Sequence, residues 1–354
     1  MQANDLSEWI AEQVRQAKAD GTPLAIQGGG SKRFYGRASL GRRLDLSGHT
    51  GILAYEPTEL VLTARTGTPL AIVESILAER GQMLAFEPPH FGPNATLGGM
   101  VACGLSGPRR PFAGSVRDNV LGVKIVNGKG EILQFGGQVM KNVAGFDVSR
   151  LMVGALGTLG VLLEVSVKVL PQPETEETLV FDLSAAEALA AMNRWARQAW
   201  PLSAAAHDGE RAYLRLSGAE AAVKASTDKL GGERFTEAGP FWIGLREQNL
   251  AFFQNDEPLW RLSLPPAAPQ PPLPGTCFID WGGALRWLKT ADPSASIFAQ
   301  ASLANGHATL FRSADMPDPV FQPLPEALKA LHIRLKQAFD PDGLFNPGRF
   351  YRDW

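Results

Sequence analysis

The stretch Leu24-Ala25-Ile26-Gln27-Gly28-Gly29-Gly30-Ser31-Lys32 decides how the N-terminal part of this chain folds. Its first four residues predict a short β-strand, which runs directly into three consecutive glycines. Because glycine has no Cβ, the N–H groups of such a loop can converge on an anion such as a pyrophosphate, and Lys32 can add positive charge. A flexible surface turn is the alternative interpretation.

Two better-known phosphate-binding motifs are excluded at this loop. The dinucleotide fingerprint G-x-G-x-x-G would need a glycine at position 33, which is Arg33, and no helix is predicted to follow. The P-loop pattern G-x-x-x-x-G-K-[ST] occurs nowhere in the chain.

A second glycine cluster lies in the stretch from Glu87 to Gly107, which is rich in Gly and Pro and predicts little regular structure. Its small residues would let a flat ligand lie against the backbone, where Thr96 and the later Ser115 can donate hydrogen bonds. Arg109 and Arg110 could supply positive charge. Long irregular loops without a role are uncommon, which favours ligand binding over a plain connection.

The third cluster follows Lys141–Asp147 and places glycines at positions 154, 157 and 160, just before a predicted strand. A helix C-cap and a tight turn would account for one of them. Three glycines in this spacing indicate a close approach of the backbone to another group.

Composition limits the class of protein. The 354 residues predict about two domains, and the net charge of −2 argues against a nucleic-acid-binding protein. Cys103 and Cys277 stand far apart and form no CxxC, so zinc or an iron–sulfur cluster held by this chain alone is not expected. No signal peptide or membrane span is predicted, which favours a cytoplasmic protein.

The chain changes character after Pro173, and a domain boundary is predicted at Pro171–Glu174. In the second part, strands are predicted at Phe241–Leu245, Trp260–Leu264 and Cys277–Trp281. A helix is predicted from Leu324 to Phe339, followed by a closing segment rich in Pro and Gly.

Taken together, the glycine clusters resemble a known flavoprotein family. The motifs Gly28–Ser31, Ala95–Gly99, Gly114–Gly122 and Gly154–Val161 are similar to the FAD-binding domain of the vanillyl-alcohol-oxidase / p-cresol methylhydroxylase (PCMH) superfamily. The closing Asp340–Gly348 resembles the C-terminal return of these proteins. Within the superfamily, Lys141–Met152 and the segments Leu259–Pro265, Gly283–Trp287 and His307–Arg312 resemble the FAD-binding (E) subunits of bacterial glycolate oxidases.

The resemblance implies an α+β fold, with a PCMH-type FAD-binding domain of two subdomains followed by a smaller α/β cap domain. The expected FAD domain spans residues 1–173, with subdomains of about 1–46 and 47–173. The cap would span residues 174–330, and residues 331–354 would return to the FAD domain.

The resemblance also implies which residues hold FAD. Gly28–Ser31 would hold the pyrophosphate, and Asp118 and Val161 would lie near the adenine and ribose. The flavin and ribityl chain would be lined by Thr96, Gly98, Gly99, Gly104 and Ser115. The full expected set is Gly28, Gly29, Gly30, Ser31, Lys32, Thr96, Leu97, Gly98, Gly99, Gly104, Gly114, Ser115, Asp118, Gly160 and Val161.

Two absences predict that FAD is bound non-covalently. Many superfamily members attach FAD through a histidine in the first glycine loop, which here has none, and no cysteine lies just before Thr96. In metal-dependent relatives a histidine pair and a carboxylate bind a metal near the flavin. The five histidines of this chain form no H-x-H, so no metal is expected. His90, His307, Arg312 and Arg349 are the weak candidates for catalysis, and a structural role is the alternative for each.

Three functions remain open. The chain could be the FAD-carrying subunit of a heteromeric glycolate oxidase, beside a catalytic flavoprotein subunit and an iron–sulfur subunit. It could instead be a self-sufficient FAD-dependent 2-hydroxyacid dehydrogenase, or a module whose FAD is structural. The missing histidine cluster favours the first function. The expected substrate is a small 2-hydroxy acid. Any contact with the membrane is expected to be peripheral, through partners on the inner face of the cytoplasmic membrane.

Overall fold

Helices and strands alternate along the chain without a repeating pattern. A computed structural model describes residues 3–137, 147–315 and 318–353. The α-helices of these residues are α1 Ser7–Ala19, α2 Leu70–Ala78, α3 Leu97–Cys103, α4 Arg110–Ala113, α5 Val116–Asn119, α6 Val148–Leu151, α7 Ala185–Trp195, α8 Glu220–Leu230, α9 Ala238–Glu247, α10 Ser294–Leu303 and α11 Glu326–Phe339. The strands are β1 Leu24–Gln27, β2 Arg42–Asp45, β3 Ile52–Glu56, β4 Val61–Arg65, β5 Gln82–Met83, β6 Val120–Val126, β7 Ile132–Gly136, β8 Val161–Lys168, β9 Leu170–Pro171, β10 Thr175–Phe181, β11 Leu202–His207, β12 Ala212–Gly218, β13 Glu233–Arg234, β14 Leu259–Ser263, β15 Thr276–Asp280, β16 Leu285–Lys289 and β17 His307–Arg312.

The chain divides into two compact units. The first unit comprises Met1–Leu105, Ser115–Gln172 and Pro323–Trp354, and the second comprises Ser106–Gly114 and Pro173–Gln322. The second unit thus takes up a short loop, residues 106–114, that the sequence placed in the FAD domain. The domain boundaries expected at residues 173 and 331 stay predictions.

The first unit is built around a five-stranded antiparallel sheet in the order β3-β4-β8-β6-β7. β8 is buried on both faces, because Val165 and Val167 pack in the core with α2 and α3, whereas Val161 and Leu163 pack with α1 and β1. From Leu163 to Lys168 the strand alternates apolar and polar residues, as is common for strands of an antiparallel sheet.

A small parallel sheet holds the first glycine loop. β1 pairs with β2, and on its other side Leu24 bridges Phe345, with the Leu24 N–H donating to the Leu344 carbonyl at 2.7 Å. The C-terminal residues therefore extend the strand from which Gly28 emerges.

Residues 340–349, which we call the C-terminal tail, are fixed by one buried ion pair. Lys336 donates to Asp340 at 2.6 Å, to the Thr158 carbonyl at 2.7 Å and to the Phe345 carbonyl at 2.9 Å. Asp340 also accepts the N–H groups of Leu344 and Phe345 at 3.0 and 2.7 Å. Every bond that the ammonium can donate is thus made inside the protein.

The second unit is built on an eight-stranded sheet in the order β13-β10-β12-β11-β15-β16-β14-β17. α7 covers part of it through Ala188, Leu189 and Met192, and its N-terminus is fixed by a capping box of Ser184 and Glu187.

One predicted strand of the second unit is wrong. Phe241–Leu245 lies inside the helix α9, in which Phe241, Trp242 and Leu245 are buried. The spacing of these residues at i, i+1 and i+4 is that of a helix face. In the sequence, however, an apolar stretch of five residues is too short to distinguish a helix from a strand.

A buried charge network ties the loop of residues 106–114 to this sheet. Glu176 on β10 forms ion pairs with Arg109 of the loop and with Arg215 on β12, the second at 3.6 Å. Burial would raise the pKa of Glu176, but the Arg215 and Arg109 charges outweigh it and hold the pKa below the ordinary 4.5. The carboxylate is therefore ionised near neutral pH.

We expect Glu176→Gln to lower the free energy of unfolding by about 2 kcal/mol near pH 7, between the values for surface and fully buried ion pairs. The reason is that Arg215, only 3% exposed, would lose its counterion. Because the pKa of Glu176 is depressed in the folded protein, this contribution is complete above the ordinary pKa and is lost as the pH falls below it.

Denaturant unfolding of both proteins at pH 7 and at several pH values below 4.5 measures the difference, which should stay constant above 4.5 and shrink only below it. Glu177→Gln is the matched control, since Glu177 pairs at 3.6 Å with Arg234, which is 63% exposed. Equal losses in the two variants would contradict a special role for Glu176.

Candidate functional site

A cavity with a volume of about 300 Å³ lies in the first unit where its glycine clusters meet. Its wall comes from four segments: residues 25–33, the start of α3, the turn around residues 156–160, and the C-terminal tail. The lining residues include Gln27, Gly28, Gly29, Gly30, Ser31, Lys32, Arg33, Thr66, Thr96, Gly98, Gly99, Cys103, Leu156, Gly157, Gly160, Asn346 and Arg349.

Steric crowding explains why the first segment is made of glycine. A Cβ on Gly29 would lie 1.4 Å from the Asn94 carbonyl oxygen, and one on Gly28 would lie 2.5 Å from Thr96 Oγ1. The backbone of this loop therefore rests directly on the residues that lead into α3. At Gly29 no side chain fits without a shift of the backbone, and at Gly28 a Cβ would displace the Thr96 hydroxyl.

The start of α3 forms the facing wall. Thr96 is its N-cap and accepts the Gly99 N–H at 3.2 Å through its hydroxyl. The prediction of little regular structure from Glu87 to Gly107 is wrong over this helix. The seven helical residues include two adjacent glycines, which are poor helix formers, so propensity hid the element while the packing of Met100 and Val101 in the core stabilises it.

Three cationic residues line the cavity: Lys32, Arg33 and Arg349. Lys32 is 6% exposed and donates to the His90 carbonyl at 3.1 Å. Arg349 donates to the carbonyls of Tyr35 and Arg37, and within the described residues no carboxylate forms an ion pair with it. Burial lowers the pKa of Arg349, but an arginine guanidinium stays charged at neutral pH. Carbonyl oxygens orient the Arg349 guanidinium without cancelling its charge.

Cys103 is the free thiol of this wall. Burial raises the pKa of its thiol, and Lys32 and Arg349 offset only part of that rise. The thiol is therefore protonated at neutral pH and not a nucleophile.

The cavity fits an FAD diphosphate. A glycine loop that admits no side chain exposes backbone N–H groups, and buried positive charge favours an anion. FAD itself supplies the ability to accept two electrons as hydride from an alcohol when it is bound.

The structure brings nine of the predicted FAD residues to this cavity: Gly28, Gly29, Gly30, Ser31, Lys32, Thr96, Gly98, Gly99 and Gly160. The others do not line it. Leu97 and Val161 are buried in the apolar cores, and Gly104 packs against Gly154. Ser115 and Asp118 form the capping box of α5, and Gly114 belongs to the second unit. Contact of any of these residues with FAD stays a prediction.

The four weak candidates for catalysis are scattered. The His90 ring lies 2.9 Å from a Glu74 carboxylate oxygen, and the His90 carbonyl accepts a hydrogen bond from Lys32. His307 and Arg312 mark the two ends of β17 in the second unit, and burial together with the Arg261 charge lowers the pKa of His307. Arg349 alone lines the cavity. A catalytic role for any of the four stays a prediction.

Cavity residues missed by the sequence interpretation include Asn346, Gln27, Thr66 and Cys103. The only sequence signal for Asn346 is its place in Asn346-Pro347-Gly348, a turn motif of the closing segment. In the part of the chain that the structure describes, no group of three or more His, Cys, Asp or Glu side chains is arranged to hold a metal ion.

Comparison with known proteins defines the class. Residues 7–136 match the FAD binding domain family. A solved structure of alkyldihydroxyacetonephosphate synthase superposes with a TM-score of 0.68 at 15% identity, covering 96% of this chain and 74% of that one, which shows a shared fold. The chain is thus an FAD-dependent oxidoreductase with the expected α+β, PCMH-type fold.

Curated relatives narrow the class to one family. The chain is 52% identical over 349 residues to the glycolate oxidase subunit GlcE of Escherichia coli, covering 99% of this chain and 98% of that protein. It belongs to the family of glycolate oxidase subunit GlcE. The glycolate oxidase subunit GlcD of Bacillus subtilis is 36% identical over 130 residues, which are 36% of this chain and 27% of GlcD. The expected family and the expected cofactor, FAD, are confirmed.

Proposed function

We propose that this chain is the FAD-binding subunit of a heteromeric glycolate oxidase, which converts glycolate to glyoxylate and passes the electrons to partner subunits. The cavity carries the proposal, because two glycine loops, the start of α3 and three cationic residues line it together, which suits an anion. The 52% identity to GlcE supports glycolate as the substrate.

The residues of this chain would bind and orient FAD without taking part in proton transfer. Gly28 to Ser31 would donate backbone N–H groups to the diphosphate, and Lys32 and Arg349 would balance its charge. Cys103 is the cysteine that lines the cavity within the described residues, and burial keeps its thiol protonated. We therefore propose that FAD is bound non-covalently.

The proposed partners are a catalytic flavoprotein subunit related to GlcD and an iron–sulfur subunit. This assignment is supported by the name of GlcE as a subunit and by the lack of a metal-binding cluster among the described side chains. We also propose a cytoplasmic location, with peripheral contact to the membrane through those partners. Among the described residues, no helix has the length and apolar character needed to cross a bilayer.

Anaerobic titration of the purified chain with glycolate tests the proposal. We expect the chain alone to bind FAD, to release all of it on acid precipitation, and to keep its visible flavin absorption when glycolate is added. Addition of the partner subunits should then bleach that absorption. Bleaching of the chain alone would favour a self-sufficient 2-hydroxyacid dehydrogenase, and no bleaching under either condition would favour a structural FAD.

A further inference from the structure

Asn346 in the C-terminal tail makes three hydrogen bonds to two different segments of the cavity wall. Its N–H donates to the Leu24 carbonyl at 2.9 Å, and its Oδ1 accepts the Ile26 N–H at 2.8 Å. Its Nδ2 donates to the Leu156 carbonyl at 2.7 Å. The side chain is almost completely buried, with 4% exposed, and both ends of the amide meet a complementary group. Its orientation is therefore fixed.

These contacts join two of the glycine segments. Ile26 stands two residues before Gly28, and Leu156 directly precedes Gly157. A Cβ on Gly157 would lie 2.7 Å from Asn346 Nδ2, so this turn packs directly on the amide. The amide of Asn346 thus sets the distance between the first glycine loop and the turn at residues 156–160.

The far end of the tail holds the other side of the same loop. Arg37 donates its N–H to the Arg349 carbonyl at 3.1 Å and its Nε to the Gly348 carbonyl at 3.0 Å. Arg349 in turn donates to Tyr35 at 2.6 Å. The segment from Gly28 to Arg37 is therefore fixed by the tail where it begins and where it ends.

We propose that Asn346 is a positioning residue for FAD: through its amide it sets the spacing of the two glycine segments that receive the cofactor. This inference rests on the proposed function, since it concerns the same cavity. The residue acts on FAD through the backbone of residues 26–28 and 156–157.

Asn346→Gly is the decisive variant. Asn346 has a φ of +43°, so glycine keeps the backbone conformation while it removes the amide. We expect the dissociation constant for FAD to rise about tenfold to 100-fold, because two buried hydrogen bonds are lost. We also expect an altered visible circular dichroism of the flavin when FAD is saturating, since the cofactor would sit in a changed wall.

Two further proteins complete the experiment. Asn346→Asp keeps the acceptor for the Ile26 N–H but puts a buried carboxylate oxygen against the Leu156 carbonyl, so its dissociation constant should rise at least as far as that of Asn346→Gly. Asn305→Gly is the matched control: Asn305 has a φ of +56° and is an exposed turn residue of the second unit. It should bind FAD as the parent does.

Unchanged affinity and circular dichroism in Asn346→Gly would overturn the inference. So would an affinity loss that only tracks the unfolded fraction, measured by thermal unfolding of the apoprotein, with an unchanged flavin signal at saturation. Failure of the parent protein to bind FAD would overturn the proposed function and this inference with it. The two failures are distinguishable, because the first is seen in the parent protein and the second only in Asn346→Gly.

Discussion

Replacement of Gly29 by alanine is expected to raise the dissociation constant for FAD about 100-fold, since overpacking in a rigid contact costs about 3 kcal/mol. The new Cβ would meet the Asn94 carbonyl oxygen at 1.4 Å. A backbone oxygen cannot turn away as the end of a flexible side chain can, so the glycine loop must move. The N–H groups that we propose for the FAD diphosphate would move with it.

Fluorescence titration with FAD measures this loss, and thermal unfolding of the apoprotein shows whether the fold survives. Gly48→Ala is the matched control in the same unit, because the nearest atom to its Cβ, Leu6 Cδ1, is at an ordinary 3.5 Å. Parental affinity in Gly29→Ala would place the FAD diphosphate away from this loop.

Asp340→Ala should lower the free energy of unfolding by about 4 kcal/mol, the range found when one partner of a buried ion pair is removed. Asp340 is 1% exposed and receives bonds from Lys336, Leu344 and Phe345. Its removal leaves a buried ammonium without a counterion and two N–H groups without an acceptor. Because the C-terminal tail lines the cavity, FAD retention should fall as well.

Chemical denaturation with and without FAD measures both effects. Asp342→Ala is the control two residues away, since Asp342 is 47% exposed and pairs with Lys18 at 3.4 Å. An exposed pair of this kind contributes at most about 1 kcal/mol. Equal losses in the two variants would mean that the tail is not held by the buried pair.

The glycine loops could be found from sequence because their chemistry is local. Gly28 to Lys32 follow a strand within a few residues, and the small residues from Thr96 to Gly99 show in composition alone. All these residues line the cavity. The pattern could not reveal which glycines admit no side chain, because the crowding atoms, such as the Asn94 oxygen at Gly29, lie more than sixty positions away.

The tail residues could not be assigned to the cavity from sequence for the same reason. Asn346 meets Ile26 across 320 positions and Leu156 across 190. Nothing local marks these contacts, and Arg349 could be named only as a weak candidate for catalysis. The prediction of a strand where helix α9 lies was wrong for a different reason. Aromatic residues such as Phe241 and Trp242 favour strands by propensity, but their burial follows a helical period.

The parallel bridge between Leu24 and Phe345 has a consequence for biosynthesis. The first unit needs residues from both sides of the insertion Pro173–Gln322. At a synthesis rate of about 5–20 residues per second, the ribosome takes roughly 8–30 s to pass through this insertion. During that interval the glycine loop has emerged without the tail that fixes it. The first unit is therefore completed only after the insertion has been synthesised, when Phe345 can pair with Leu24.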